Sequence, residues 1–121
     1  QSIIINGDGS TSRDFCYVDN AVQANILAAC VTNKKALNQI YNVALGDKTS
    51  LKNLFNIIKQ EVLKYKSIDH IPPIYKDFRV GDVRHSQADI SKAKKLLGYR
   101  PTHKIRSGIK ELVLWHMDNF K

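Results

Sequence analysis

QIYNVALGDKTSLKNLFNIIKQEV, residues 39–62, reads in two halves. Residues 39–45 have the β-branched and aromatic content of a strand and stop at Gly46-Asp47. Ser50 then offers a hydroxyl N-cap. Behind it, Leu51, Leu54, Phe55, Ile58 and Val62 recur at i, i+3, i+4, i+7 and i+11, the stripe of an amphipathic helix. A strand followed directly by such a helix makes the chain mixed α/β.

The same alternation extends both ways. Upstream, Ile3-Ile4-Ile5 is a short strand that ends at the turn Asn6-Gly7-Asp8-Gly9. Asp19 is placed to cap a helix through about Val31, with Val22, Ile26 and Ala29 on one face. Downstream, Pro72-Pro73 forces extended chain to about Phe78. Asp89 is expected to cap a short helix with Ile90, Ala93, Leu96 and Leu97 inward, ended by Gly98 and Pro101. A last helix is expected from about Ile105 to Phe120, with Ile105, Ile109, Leu112, Val113 and His116 inside. The strand at residues 39–45 needs neighbours that the chain hardly supplies, so the sequence reads as part of a larger α/β fold.

Composition narrows the function classes. The 121 residues are 43% hydrophobic and 25% charged, ordinary for one globular domain. The longest apolar stretch, Ile26 to Val31, falls far short of the roughly 20 residues of a membrane span, so no membrane partner is expected. Residues 1–5 lack the basic start of a signal peptide, and cytoplasmic localisation is expected. Cys16 and Cys30 fit no metal spacing and read as buried apolar residues in a reducing compartment. Net charge is +8, but the lysines are dispersed and no aromatic-basic interleaving accompanies them, so no nucleic-acid partner is expected.

Two constellations could carry chemistry. In Gly7-Asp8-Gly9-Ser10-Thr11-Ser12-Arg13-Asp14-Phe15, a Gly-rich loop followed by Arg can present backbone N–H groups and a guanidinium to a phosphate, although Gly-Asp-Gly is usually just a turn. In Phe78-Arg79-Val80-Gly81-Asp82-Val83-Arg84-His85-Ser86, an Arg can hold a phosphate while Asp82 accepts from a ribose hydroxyl. The alternative is a local ion pair of Asp82 with Arg79 or Arg84. His70, His85, His103 and His116 show no ligand spacing, so no metal is expected. None of the five tyrosines has a Lys four residues on, and no Gly-x-Gly-x-x-Gly opens a helix.

Four segments in register carry a resemblance: Gly7 to Asn20, then Ile40-Tyr41-Asn42-Val43-Ala44, then Phe78 to Ala93, then Leu96-Leu97-Gly98-Tyr99-Arg100-Pro101. Together they resemble extended short-chain dehydrogenase/reductase proteins, most closely the bacterial UDP-N-acetylglucosamine 4-epimerases of surface polysaccharide pathways. The resemblance implies a small mixed α/β C-terminal portion of such an enzyme, residues 1–121, without the Rossmann part. Residues about 16–46 are then expected to pack on that cofactor domain. It implies an intact NAD-dependent UDP-GlcNAc/UDP-GalNAc 4-epimerase, an isomerase that oxidises the sugar at C4, lets the 4-keto intermediate rotate and reduces it again. This chain would grip the UDP-sugar and hold no catalytic residue, no cofactor and no activity of its own. By the resemblance Arg13 and Arg79 meet the diphosphate, Asp82 the ribose, and Ile5 and Asn6 pass the uracil. Ser86 stands where a small residue leaves room for an N-acetyl group. Arg84 and His85 belong to the pattern without an assigned role. The expected partners are a UDP-sugar, the N-terminal Rossmann domain, and a second copy through exposed apolar faces. A related UDP-sugar epimerase or decarboxylase, or a free-standing nucleotide-sugar-binding module, remain the alternatives.

Overall fold

The computed structural model describes residues 2–67 and 72–119. His70 and the expected helix end at Phe120 lie outside the described residues. The order is β1 (Ile4–Asn6), β2 (Ser12–Arg13), α1 (Val18–Cys30), β3 (Thr49–Ser50), α2 (Leu51–Val62), β4 (Ile74–Lys76), α3 (Ser91–Leu97) and α4 (Ile105–Asn119), with a 3-10 turn at Lys34–Ala36. β1 pairs in parallel with β4, Ile5 opposite Tyr75, and β2 pairs antiparallel with β3. The mixed α/β class read from the sequence is the architecture found.

Two small apolar clusters hold these elements. Ala24 of α1, Ala44, Ile90, Ala93 and Tyr99 form one, with Leu27 and Tyr41 packed against it. Tyr99 has no exposed surface, and its hydroxyl donates to the Ala44 carbonyl at 2.9 Å. Ile57 of α2 with Ile109 and Val113 of α4 form the other, flanked by Leu54, Val62, Ile105 and Met117. Ser50 caps α2 as expected, its hydroxyl accepting from the Asn53 amide at 3.2 Å. Gly98 ends α3 at φ 72°.

Several local expectations are corrected. Residues 39–45 form no strand: neither of the two sheets among the described residues includes them. Side chains hold this segment instead: the Asp14 carboxylate accepts from the amides of Leu45 and Gly46, each at 2.9 Å, and Asn42 donates to the Asp89 carbonyl. α1 starts at Val18 after an extended Tyr17, so Asp19 sits within the first turn, where it favours the helix dipole, and is not the cap. Ile90 occupies the cap position of α3. The Asp89 carboxylate still accepts from the Ser91 amide at 2.9 Å, and hydrogen bonds from Ser91 hold its pKa below the usual range.

The inner face of α2 centres on Ile57, with Ile58 turned out, because α4 crosses beside it. On α4, Leu112 and His116 are exposed, since the packed stripe runs Ile105, Ile109, Val113 and Met117. Cys16 and Cys30 are exposed, not buried. α1 buries Asn20 and Ala24, a polar and a small residue, and leaves Val22 and Ile26 outward. Asn20 earns its place through the backbone it satisfies: its amide oxygen accepts from the Thr102 and His103 amides and its nitrogen donates to the His103 carbonyl. No helix among the described residues is long and apolar enough to cross a membrane.

Candidate functional site

The site forms where the loop between β1 and β2 meets the loop after β4. Pairing of β1 with β4 brings Asn6 beside Lys76, and the Gly7 amide continues the ladder by donating to the Lys76 carbonyl at 2.7 Å. Gly7 adopts φ 81°, a region costly to side-chain-bearing residues. A Cβ there would lie 2.1 Å from the Phe78 ring, so glycine is required twice over. At the next corner, Ser10 donates from both amide and hydroxyl to the Asp8 carboxylate, which lowers the Asp8 pKa.

The far loop folds onto this one. Arg79 to Asp82 is a tight turn, the Asp82 amide donating to the Arg79 carbonyl, with Gly81 at φ 78° supplying the left-handed position. That turn aims Asp82 back across the site. The Arg13 Nη2 donates to the Asp82 carboxylate at 2.5 Å, while Nη1 donates to the Ser12 carbonyl at 2.9 Å and the Arg84 carbonyl at 3.4 Å. Asp82 therefore pairs with Arg13, and the local pairing with Arg79 or Arg84 is not formed. Arg79 turns to Asn6 instead: with its amide oxygen toward the guanidinium, Asn6 accepts from Nε at 2.9 Å and Nη2 at 3.1 Å.

Five of the six residues singled out in the sequence thus stand on two apposed segments, Asn6 and Arg13 at the ends of β1 and β2 and Arg79, Asp82 and Ser86 in the chain after β4. Asn6, Arg13, Arg79 and Asp82 are linked in pairs, and Ser86 is exposed beside them with its amide donating to the Ser12 carbonyl at 3.1 Å. Ile5 is buried under the loop and supports it from β1 without surface of its own. An open groove of about 630 Å³ runs past Asn6, Tyr75, Lys76, Asp77, Phe78 and Arg79. Its floor combines an aromatic ring with a guanidinium, a surface suited to a planar base next to an anion. Among the described residues no group of three or more His, Cys, Asp or Glu is arranged to hold a metal.

Sequence reading missed how the loops are held. The Arg84 guanidinium lies 3.1 Å from the centroid of the Phe78 ring and pins that ring over Gly7. The Ser12 hydroxyl lies 2.9 Å from His85 Nδ1, and the Asp14 carboxylate accepts from the Ala88 amide at 3.2 Å as well as from Leu45 and Gly46. Phe78, Arg84 and His85 were visible as a motif. Arg84 meets Phe78 within that motif, but Gly7 and Ser12, which Phe78 and His85 meet, lie about 70 residues away, and local pattern carries no such information.

Known proteins share this sequence pattern and fold. Residues 1–112 match the GDP-mannose 4,6 dehydratase family. A Methanocaldococcus jannaschii protein provisionally named a UDP-glucose 4-epimerase is 40% identical over 98% of this chain and 35% of its own length. The UDP-N-acetylglucosamine 4-epimerase of Methanobrevibacter ruminantium M1, solved in complex with UDP-N-acetylmuramic acid, is 37% identical with a TM-score of 0.83 over 99% of this chain and 36% of its own. The UDP-glucose 4-epimerase of Thermotoga maritima, solved with UDP-glucose, is 34% identical with a TM-score of 0.84 over 100% of this chain and 36% of its own. The chain spans about a third of the length of the curated relatives it matches. Family match and fold agree: this chain belongs to the GDP-mannose 4,6 dehydratase family, within the extended short-chain dehydrogenases/reductases, and corresponds to their C-terminal region.

Proposed function

We propose that this chain is the nucleotide-sugar grip of an NAD-dependent UDP-sugar 4-epimerase acting on UDP-GlcNAc and UDP-GalNAc. The observation that carries the reading is that two segments about 70 residues apart are joined by the Arg13–Asp82 and Asn6–Arg79 pairs, with Asn6 and Arg79 lining an open groove. Two guanidiniums suit a diphosphate, because each offers forked donors to phosphate oxygens. Asp82 is the acceptor for a ribose hydroxyl, and the groove past Asn6 and Phe78, backed by the buried Ile5, takes the uracil. Ser86, small and exposed, faces the sugar. Relatives solved with UDP-glucose and with UDP-N-acetylmuramic acid support the ligand class.

The cofactor belongs elsewhere in the protein. The glycine loop here runs from β1 into the short β2, not into a helix N-terminus, so its amides do not form a dinucleotide cradle. The hydride chemistry of NAD and the catalytic groups are assigned to polypeptide beyond this chain. Residues about 16–46 form the surface for that Rossmann domain, supported by the outward apolar side chains of Val18, Val22, Ile26 and Ile40. The enzyme is assigned to the cytoplasm.

Calorimetric titration of UDP into the protein carrying this chain tests the grip. Arg13→Ala and Arg79→Ala should each weaken UDP binding by about 10- to 150-fold, the worth of one to two charge-assisted hydrogen bonds. Unchanged UDP affinity in either variant makes that Arg a surface residue. A second reading, UDP-glucose as the sugar, is favoured by the Thermotoga maritima and Methanocaldococcus jannaschii relatives. Comparing kcat/KM for UDP-GlcNAc and UDP-glucose separates the two.

A further inference from the structure

Ser12 joins the two loops three times. Its amide donates to the Arg84 carbonyl at 2.9 Å, its carbonyl accepts from the Ser86 amide at 3.1 Å, and its hydroxyl lies 2.9 Å from His85 Nδ1. Ser12 and His85 form an isolated parallel bridge, so the junction is one residue wide on each side. Arg13 follows Ser12 directly, and Ser86 follows His85 directly. Ser12 is 5% exposed. Its hydroxyl has little water to turn to, and a buried hydroxyl without a partner is costly. The His85 ring is its side-chain partner.

Resting on the reading that Arg13 meets the diphosphate and Ser86 the sugar, we propose that the Ser12–His85 hydrogen bond is a positioning clamp that sets the register between the diphosphate and sugar ends of the site. UDP engages Arg13, Arg79 and Asp82, which the Arg13–Asp82 and Asn6–Arg79 bonds hold without the clamp. A UDP-sugar also reaches Ser86, so its sugar contacts are made only if residues 84–86 keep their place against residues 12–13. Loss of the bond frees the loop to shift, and displacements near 1 Å are enough to spoil such contacts. Backbone bonds from Ser12 hold the loops together when the side-chain bond is gone, which separates positioning from folding. Arg84, stacked on Phe78, anchors the far end of the same loop.

The test is a set of titrations with UDP, UDP-GlcNAc and UDP-glucose into the protein carrying this chain, as wild type, S12A, H85A, S12A/H85A and H85Q. The quantity read is the ratio of the UDP Kd to the UDP-sugar Kd. It should fall at least fivefold in S12A and in H85A, and the double variant should lose no more than the larger single, since both remove one bond. H85Q, whose amide still reaches the Ser12 hydroxyl, should keep a ratio nearer wild type than H85A does. A change below fivefold in H85A, an H85Q loss equal to that of H85A, or singles that multiply in the double variant overturns the clamp. Arg13→Ala in the same experiment lowers affinity for UDP itself if the grip is assigned correctly, whatever His85 does, so the two readings fail separately.

Discussion

The Arg13 guanidinium donates to the Asp82 carboxylate at 2.5 Å across 69 residues of sequence, tying the end of β2 to the turn after β4. The side chains keep 30% and 42% of their surface exposed, so solvent screens the pair and its contribution to stability is small, about 0–1 kcal/mol. Its value lies in where it holds the two groups.

From this follows a separation of binding from stability. Asp82→Ala should shift the unfolding free energy by less than about 1 kcal/mol. It should weaken UDP-sugar binding by about tenfold or more, through the lost acceptor and the freed Arg13. Urea melts alongside titration of UDP decide it. A large stability loss with intact binding would make the pair a structural strut.

Gly7 should tolerate no side chain. Alanine there meets a left-handed φ, costing roughly 1–2 kcal/mol, and a Phe78 ring 2.1 Å from the new Cβ, adding roughly 1–3 kcal/mol of overpacking. Gly7→Ala should be relieved in part by Phe78→Ala in the same protein. If the two changes are additive in urea unfolding, the ring does not sit over Gly7.

Val22, Ile26 and Ile40 are 47%, 58% and 89% exposed, and exposed apolar side chains drive association when they form a patch. The chain expressed by itself should self-associate at micromolar concentration, and Val22→Asp with Ile26→Asp should return it to a monomer. Sedimentation reads this directly. A monomeric wild-type chain refutes the surface.

Burial, and then the neighbouring Cys16, push the Tyr99 hydroxyl up to about 12 from its ordinary 10. The folded state therefore holds this proton more tightly than the unfolded chain does. The resulting stability is complete below pH 10 and is lost as pH rises through 12, on the order of 2 kcal/mol in all. Tyr99→Phe should lose the bond to Ala44, about 1 kcal/mol, and flatten that alkaline decline. Equal pH slopes between 9.5 and 12 in the two proteins would exclude Tyr99 as the source.

Ser86 should govern tolerance for an N-acetyl group. Its amide is held by Ser12 whatever its side chain, so Ser86→Tyr adds a ring without moving the backbone. Filling the space should cost roughly 1–3 kcal/mol on UDP-GlcNAc and spare UDP-glucose. The ratio of kcat/KM for the two sugars is the readout; a shift of less than about threefold removes Ser86 from the sugar contacts.

The sequence by itself determined the helices, their turns and the two loops that bear the site. Ser50 with the stripe from Leu51, Gly98 after Leu97, and Pro72-Pro73 before β4 act through neighbours within about four residues, and periodicity and backbone chemistry record such effects. The motif residues Arg13, Arg79, Asp82 and Ser86 were legible as types with a chemistry. Their partners were not: Arg13 with Asp82, Asn6 with Arg79, Ser12 with His85, and Asn20 with His103 lie 69 to 83 residues apart. The segment at residues 39–45 fails as a strand for the same reason, because a strand exists only against a partner edge. Tertiary packing alone brings those partners within hydrogen-bond reach, since hydrogen bonds act over about 3 Å while sequence pattern reports only on adjacent turns.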